Sequence, residues 1–151
     1  MKIVATNKKA FHDYEILDKY EAGIVLTGDE VKSVRAGHIS LSESFATVHG
    51  SEIFLINFYI APYSKAYSKA EKNTRRSRKL LLHKREISKL IGDVSKKGVT
   101  IVPLKIYITE KSLIKVEIAT AKHKKAIGKK RELKERDIKR QTEREIKQRL
   151  A

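Results

Sequence analysis

Two segments, Thr100–Thr109 and Leu113–Ala121, alternate between apolar and polar side chains on either side of the polar turn Glu110-Lys111-Ser112. Alternation with a period of two is typical of a strand that has one buried and one solvent-facing side. The pair therefore predicts an antiparallel hairpin, in which Pro103 marks an edge or a bulge. A chain that contains this hairpin folds around a sheet.

Other local patterns add shorter strands and two helices. Thr27-Gly28-Asp29-Glu30 matches a capping box, and Gly37 is placed to end the helix that follows. A second helix is indicated by the apolar spacing of Ile87, Leu90, Ile91 and Val94, and Gly98 would close it. The remaining predicted segments are Phe11–Leu26 as one strand or a pair, the hairpin Ser44–His49 and Glu52–Ile56 around Gly50-Ser51, the strand Ile53–Ile60, the polar loop Tyr63–Lys79 and the buried run Leu80-Leu81-Leu82.

These segments predict a mainly β fold. About seven strand candidates favour a small closed antiparallel barrel, because closure removes exposed strand edges. Residues 1–122 would form the barrel domain, and residues 123–151 a basic C-terminal tail. The tail offers only a narrow apolar stripe of Ile138, Ile146 and Leu150, which is too thin to hold a helix against a core. We therefore expect the free tail to be disordered or loosely helical, and to order when its charge is paired.

The positive charge lies almost entirely in the second part of the chain. Residues 1–60 carry six Lys/Arg against eight Asp/Glu, whereas residues 61–151 carry 28 against ten. This asymmetry favours a polyanionic partner, and nucleic acid fits best because each neutralised phosphate releases a counterion. A membrane surface fits poorly, because the basic segments lack the Trp, Phe and Leu face of an interfacial helix.

Patterns typical of catalysis are missing from the sequence. It has no cysteine, Walker A loop, G-x-G-x-x-G or H-E-x-x-H, and its histidines (His12, His38, His49, His83 and His123) stand far apart. The neighbours His12 and Asp13 are expected to point to opposite faces of a strand. We expect no enzyme activity, cofactor or metal. No secretion signal or apolar run of about 18 residues is present, so we expect a cytoplasmic protein.

Six stretches in series resemble the SsrA-binding protein family (small protein B), the bacterial partners of transfer-messenger RNA. The resemblance extends from about Val4 to Lys130. The stretches are Asn7-Lys8-Lys9-Ala10, His12-Asp13-Tyr14-Glu15-Ile16, Tyr20-Glu21-Ala22-Gly23-Ile24, Gly28-x-Glu30-Val31-Lys32-Ser33-x-Arg35-x-Gly37, Arg78-Lys79-Leu80-Leu81-Leu82-His83-Lys84 and Gly98-x-x-x-Val102-Pro103-Leu104-Lys105-x-Tyr107.

The resemblance implies an oligonucleotide-binding-like barrel that binds the tRNA-like domain of transfer-messenger RNA and delivers it to stalled ribosomes. The protein would fill the volume of a tRNA anticodon arm, and its tail would enter the empty messenger channel at the decoding centre and become helical there. Elongation factor Tu and alanyl-tRNA synthetase are implied as partners through the shared RNA. A monomer without a membrane partner is expected.

By position, the resemblance assigns RNA binding to Glu21, Leu81, His83 and Lys115. Lys115 faces outward and can meet a phosphate, Glu21 could accept hydrogen bonds from base edges or organise a nearby cation, and Leu81 could pack on an unstacked base or belong to the core. His83 could stack on a base or cap the helix that follows. His12 is a weaker candidate of the same kind, and a phosphate track is expected at Lys122, Lys124 and Lys125.

The start of the tail departs from the family pattern Gly-Lys-Lys-x-Tyr/His-Asp-Lys-Arg. Here, Gly is replaced by His123, the aromatic residue by Ile127, Asp by Gly128 and the final Arg by Lys130. The ribosome-engaging segment implied by the resemblance comprises Ile127, Gly128, Lys129, Lys130 and Arg131.

Two other functions compete with ribosome rescue. A generic ribosomal RNA-binding or assembly protein on the same barrel would bind any structured RNA with comparable affinity. A basic RNA-processing enzyme would need a divalent metal or a carboxylate–histidine cluster, and would turn over labelled RNA.

Overall fold

The computed structural model describes residues 1–63, 74–124 and 128–150, and in the last range it describes side chains from 135 to 147. Nine strands and four helices lie within these residues. In chain order they are β1 (Lys2–Thr6), α1 (Lys8–Asp13), β2 (Tyr14–Ile24), α2 (Gly28–Arg35), β3 (Ile39–Ser40), β4 (Phe45–His49), β5 (Glu52–Ile56), β6 (Tyr59–Ile60), β7 (Arg78–Leu81), α3 (Lys84–Val94), β8 (Val99–Ile108), β9 (Ile114–His123) and α4 (Gly128–Leu150).

Six antiparallel strands close into a ring. The large sheet has the order β1-β8-β4-β5-β7-β2-β9, and β9 also pairs with β8, which joins the two ends of the series. Strand β1 lies beside β8, outside this ring, and β3 pairs with β6 in a small second sheet. The mainly β, antiparallel, barrel-like architecture predicted from the sequence is confirmed.

Alternate residues of each strand point into the ring, and these inward residues are apolar. Ala22, Ile53, Leu80, Ile106 and Val116 come from five different strands and belong to one buried cluster. A second buried cluster lies at the other end of β9, where Ala119 and Ala121 meet residues of α1, β2 and β8. The outward residues on the same strands are therefore left for a functional surface.

Several local predictions are confirmed. The Thr27 hydroxyl accepts from the Glu30 N–H, and the Glu30 carboxylate accepts from the Thr27 N–H at 2.9 Å, which completes the capping box. The hairpin of β4 and β5 turns at Gly50, whose φ of +63° suits the predicted turn. The register of β8 shifts between Pro103 and Lys105, so the bulge predicted at Pro103 is present.

The prediction of a strand from Phe11 is wrong at its start, because residues 8–13 form helix α1. The Asn7 side chain caps this helix by accepting from the Ala10 N–H at 3.2 Å. Asn7 Nδ2 also donates to the Pro103 carbonyl at 2.9 Å. The Asn7 cap is a local signal, but the six residues of α1 are too few to show a helical period, and the contact with Pro103 leaves no local pattern.

The predicted strand Ile53–Ile60 is interrupted at Asn57. This residue has a left-handed φ of 59°, which ends β5 at Ile56 and sends β6 into the small sheet. The predicted run Leu80-Leu81-Leu82 is not uniformly buried, since Leu80 is buried and Leu81 is exposed, as strand alternation requires. Helix α3 ends at Val94, before the predicted end at Gly98.

A buried ionic network fastens α2 to β7. Arg78 is fully buried, and its Nε donates to Glu30 Oε2 at 2.6 Å while its Nη1 donates to the Phe58 carbonyl at 2.6 Å. Arg76 Nε donates to the same carboxylate at 3.1 Å. Burial alone would raise the pKa of Glu30, but hydrogen bonds from Arg76, Thr27 and Arg78 outweigh burial and hold it below its usual range. The capping box explained only part of the role of Glu30.

Helix α4 carries the C-terminal basic sequence back to the barrel. The Tyr14 hydroxyl donates to a carboxylate oxygen of Glu135, and Thr142 and Ile146 are buried. The disordered or loosely helical state expected for residues 123–151 concerns the free protein, and it stays a prediction. Of the predicted loop Tyr63–Lys79, residues 64–73 lie outside the described residues.

Candidate nucleic-acid interface

Gly23 on β2 pairs with one predicted RNA-binding residue on each side. It lies opposite Leu81 of β7 and opposite Lys115 of β9. Its neighbour Ala22 and the partner of Ala22, Val116, are both fully buried. Because side chains alternate along a strand, Leu81 and Lys115 lie together on the outer face of the barrel.

Leu81 remains exposed to solvent although it is a large apolar residue. A Cβ atom built on Gly23 would lie 3.3 Å from Leu81 Cβ and 3.5 Å from its Cδ1. Leu81 therefore packs closely against the backbone of Gly23, and any larger residue at position 23 would crowd it. Glycine at this position gives Leu81 its place next to Lys115.

Glu21 lies on the same outer face, two residues before Gly23, and is exposed. It accepts a hydrogen bond from the hydroxyl of Tyr107, a buried residue that pairs with Lys115 across β8 and β9. Burial, then the hydrogen bond to Glu21, and then the negative charges of Glu21 and Glu117 raise the pKa of Tyr107 above its usual value. The phenol thus stays a hydrogen-bond donor, and it fixes one carboxylate oxygen of Glu21.

The charges around Glu21 are partly balanced within the sheet. Glu117 lies directly opposite Glu21. Lys105 Nζ lies 3.8 Å from the carboxylate of Glu117. Among the described residues, Lys115 has no ion-pair partner. Its ammonium group is therefore available to an external anion.

Tyr107 was not among the residues predicted to bind RNA. The signal was present in the sequence, because the alternation of β8 put Tyr107 on the outward side with Lys105. The alternation does not reveal that Glu21 is the hydrogen-bond partner of Tyr107, because that depends on the register of β9 with β2.

His83 follows β7 and occupies the N-cap position of α3. Its backbone N–H donates to Glu86 Oε1 at 3.1 Å, and the residue is exposed. His83 comes two residues after Leu81, at the same end of β7. The structure therefore brings Glu21, Leu81 and Lys115 together across three neighbouring strands, with His83 following Leu81. We call these four residues the β2 cluster.

His12, Lys122 and Lys124 lie at the opposite end of β2 and β9. Lys122 pairs with Glu15, and Lys124 donates its N–H to the Asp13 carbonyl at 2.9 Å. Lys122 follows Lys115 by seven positions along β9, a distance of about 23 Å at strand rise. The predicted RNA-binding residues thus form two groups, and we call His12, Lys122 and Lys124 the distal cluster.

His12 contradicts one expectation. Its Nδ1 lies 2.8 Å from Asp13 Oδ1, so the two side chains meet and do not point to opposite faces. The reason is that both residues belong to α1 and not to a strand. Asp13 is buried whereas His12 is exposed, so the carboxylate orients an imidazole that is open to solvent.

The distal cluster adjoins the place where α4 meets the barrel. The His123 ring stacks on Tyr14 with a centroid distance of 4.3 Å, and its Nε2 lies 3.6 Å from Glu135. Burial, and then the hydrogen bond to Glu135, raises the pKa of Tyr14 above its usual value. Lys125 and Ile127 lie outside the described residues, and Gly128, Lys129, Lys130 and Arg131 begin α4.

In the described part of the chain, no group of three or more His, Cys, Asp or Glu side chains could hold a metal ion. No described helix combines the length and the apolar composition that a bilayer span requires.

Comparison with known proteins identifies the family. An SsrA-binding protein from Sulfurihydrogenibium sp. is 56% identical over 146 residues, covering 97% of this chain and 95% of its own length. The SsrA-binding protein of Coprothermobacter proteolyticus is 49% identical over 145 residues, covering 96% and 97%. A solved structure of tmRNA-SmpB in the bacterial ribosome matches with a TM-score of 0.68 and 53% identity, covering 83% of this chain and 87% of that one. The model of the SmpB protein family matches residues 4–148, and the chain belongs to that family.

Proposed function

We propose that this protein binds transfer-messenger RNA through its tRNA-like domain and delivers it to stalled ribosomes in the bacterial cytoplasm. Its relatives are named for binding SsrA, and the matching solved structure contains tmRNA and SmpB in the ribosome. The observation that carries the proposal is the pairing of Gly23 with both Leu81 and Lys115. This pairing brings Leu81 and Lys115 together with Glu21 on one exposed face.

The β2 cluster offers three different contacts for RNA. Lys115 supplies a cation for a phosphate, and Glu21 supplies a carboxylate that accepts from base edges or 2′-hydroxyls. Leu81 supplies an apolar surface for an unstacked base, with His83 following it in the chain. A surface with these three contacts recognises a folded RNA by shape and by its unpaired nucleotides, beyond attraction to phosphate alone.

The distal cluster and the tail face a second partner, the ribosome. Lys122 lies about 23 Å from Lys115 along β9, and His12 and Lys124 lie at the same end as Lys122, so the distal cluster contacts other nucleotides than the β2 cluster does. Strand β9 ends here at His123, the first residue of the tail, and the residues from Gly128 to Arg131 begin α4. We assign this end to the decoding centre, where the body of the protein replaces an anticodon arm and the tail enters the messenger channel.

RNA specificity tests this function against general RNA binding. We expect the full-length protein to bind a tRNA-like domain RNA much more tightly than a ribosomal RNA hairpin of equal length, in an anisotropy assay at fixed salt. Footprinting should show protection confined to one side of the tRNA-like fold. Comparable affinity for both RNAs would favour the generic ribosomal RNA-binding protein, and cleavage of either RNA would favour an enzyme.

A further inference from the structure

Helix α4 is folded back against the barrel, at the end where β9 stops. Glu135 lies in this helix, 12 positions after His123, the last residue of β9. Its carboxylate accepts a hydrogen bond from the Tyr14 hydroxyl, and its Oε2 lies 3.6 Å from His123 Nε2. The rings of Tyr14 and His123 also stack on each other. We call Tyr14, His123 and Glu135 the tail contact.

The tail contact combines one strong hydrogen bond with an incompletely paired histidine. The bond from Tyr14 to a carboxylate is charge-assisted and favours the docked helix. The His123 side chain is only 7% exposed, and neither of its ring nitrogens has a hydrogen-bond partner among the described residues. Docking therefore removes water from these nitrogens without replacing its hydrogen bonds, which costs free energy and offsets part of the gain.

The packing between α4 and the barrel is incomplete. A cleft of about 240 Å³ lies between them, lined by Val48 and Ile101 on the barrel side and by Lys139 on the helix side. Of the side chains described for α4, only Thr142 and Ile146 are buried. An unfilled gap loses the dispersion contacts that close packing would supply. The helix is therefore held loosely, by a polar contact and a small apolar one, and it can leave the barrel without disturbing the core.

The docked helix adjoins the residues assigned to the ribosome. Tyr14 follows His12 by two residues, and His123 lies between Lys122 and Lys124. The 23 residues of α4 span about 34 Å at the rise of an α-helix. While the tail contact is made, this length lies back along the barrel and cannot extend away from it.

We propose that α4, docked through the tail contact, is the resting position of the tail in the free protein, and that α4 leaves the barrel when the protein engages the ribosome. Release uncovers Tyr14 and His123 beside the distal cluster and frees the helix to extend. The release step rests on the proposed function, whereas the docked position does not depend on it.

Electron-spin distance measurements on the full-length protein test the docked position. The chain has no cysteine, so spin labels attach only where Ser51→Cys in the turn of β4 and β5 and Arg144→Cys in α4 introduce one. Both positions are exposed. Glu135→Ala removes the carboxylate of the tail contact without altering the barrel. Glu143→Ala is the matched control, because it removes the same group from the same helix, where that group pairs with Lys139 of α4.

We expect one main, narrow distance peak in the labelled protein, and the same peak in its Glu143→Ala variant. Glu135→Ala should lower the ratio of docked to undocked protein by about tenfold, the size of one hydrogen bond to a charged group. A broad distribution without a main peak in the labelled protein would overturn the inference. Equal distributions in the two alanine variants would overturn it as well.

A reversible cross-link tests the release step. Thr100→Cys and Lys139→Cys line the cleft from the barrel and from α4, and a bismaleimide with a central disulfide joins them across it. We expect the linked protein to bind tRNA-like RNA as the wild type does and to fail in tagging of stalled nascent chains. Cutting the linker with a reductant should restore tagging, and each single cysteine variant, treated alike, should tag throughout.

The two measurements separate failure of this inference from failure of the proposed function. Tagging by the linked protein would show that α4 need not leave the barrel, and would overturn the release step while the function stands. If the wild type itself does not support tagging, the proposed function and the release step are both wrong. The distance measurement still decides the docked position in that case, because it requires neither RNA nor ribosome.

Discussion

Glu21 illustrates how the role of a surface carboxylate depends on side chains of neighbouring strands. The sequence left two roles open, a contact to RNA or the organisation of a nearby Lys or Arg. Its hydrogen-bond partner is the hydroxyl of Tyr107, and the lysine of the neighbourhood, Lys105, pairs with Glu117. A phenol that donates to one carboxylate oxygen sets the orientation of the carboxylate. Tyr107 is therefore a positioning residue for Glu21.

Replacing Tyr107 by Phe should weaken binding to tRNA-like RNA by about tenfold, the size of one charge-assisted hydrogen bond. The salt slope should not change, because no phosphate contact is lost. In a Glu21→Gln background, Tyr107→Phe should have little further effect in the same anisotropy assay. Independent, additive losses in the double variant would contradict the positioning role.

Unlike Tyr107→Phe, a substitution at Lys115 should change the salt slope of RNA binding in the same anisotropy assay. Lys115→Ala should weaken binding and lower the slope of log affinity against log salt by about one unit, because one phosphate contact disappears. Lys89→Ala is a suitable control, since Lys89 lies 3.6 Å from Asp18 and 5.8 Å from the Tyr20 ring, outside the β2 cluster. An unchanged slope for Lys115→Ala would remove this residue from the phosphate contacts.

At the scale of whole elements, β2 organises the molecule. It lies between β7 and β9, so it brings residues distant in sequence to one face, and its two ends carry the two clusters. The strands β8 and β9, α2 and the hairpin of β4 and β5 were predicted from sequence because their signals are local: alternation, a capping box and a turn glycine.

The elements that sequence reasoning missed depend on distant contacts. Helix α1 is fixed by Asn7, which bonds to Pro103 across the fold, and the break at Asn57 places β6 in a second sheet. The same limit applies to the site. The residues assigned to RNA binding came from family resemblance, but their division into two clusters required the register of β2 with β9.

The network between α2 and β7 should dominate the stability of this side of the barrel. Glu30→Ala leaves the fully buried Arg78 without its carboxylate, which should lower the free energy of unfolding by about 3–5 kcal/mol. Glu52→Ala removes the exposed partner of Lys79 and should cost about 0–1 kcal/mol. Urea unfolding measures both, and equal costs would contradict the buried role of Glu30.

The same carboxylate gives stability a pH dependence of defined sign. The folded pKa of Glu30 lies below its ordinary value of 4.5. Its contribution to stability is therefore complete above the ordinary value, and it is lost as pH falls through the lowered folded value. Stability curves of the wild type and Glu30→Gln should converge in acid. A gap of constant size down to acid pH would contradict this linkage.

At the scale of the whole molecule, the barrel and α4 are held by different forces. The barrel has a closed ring of strands and an apolar core, whereas the side chains described for α4 bury only Thr142 and Ile146. We expect amides of residues 130–151 to exchange with solvent faster than those of β8 and β9 in the free protein. Strong protection throughout α4 would contradict a tail that is disordered or loosely helical when free.

Truncation after Lys122 separates RNA capture from action on the ribosome. The β2 cluster is intact in this shortened chain, so we expect a folded barrel that keeps much of its affinity for tRNA-like RNA. Tagging of stalled nascent chains in a reconstituted translation system should fail, because the tail is missing. Normal tagging by the truncated chain would show that the tail is dispensable.

Strand β9 connects Lys115 at one end with Lys122 at the other, and it is hydrogen-bonded along both edges. A strand paired on both edges cannot bend or shorten easily, so the distance between Lys115 and Lys122 is fixed. Under the proposed function, we expect the tRNA-like RNA at the β2 cluster and the ribosome at the distal cluster to bind simultaneously. Saturating the β2 cluster with RNA should leave the affinity of the distal cluster for the ribosome unaltered. A protein that brings a bound RNA to the ribosome needs this independence.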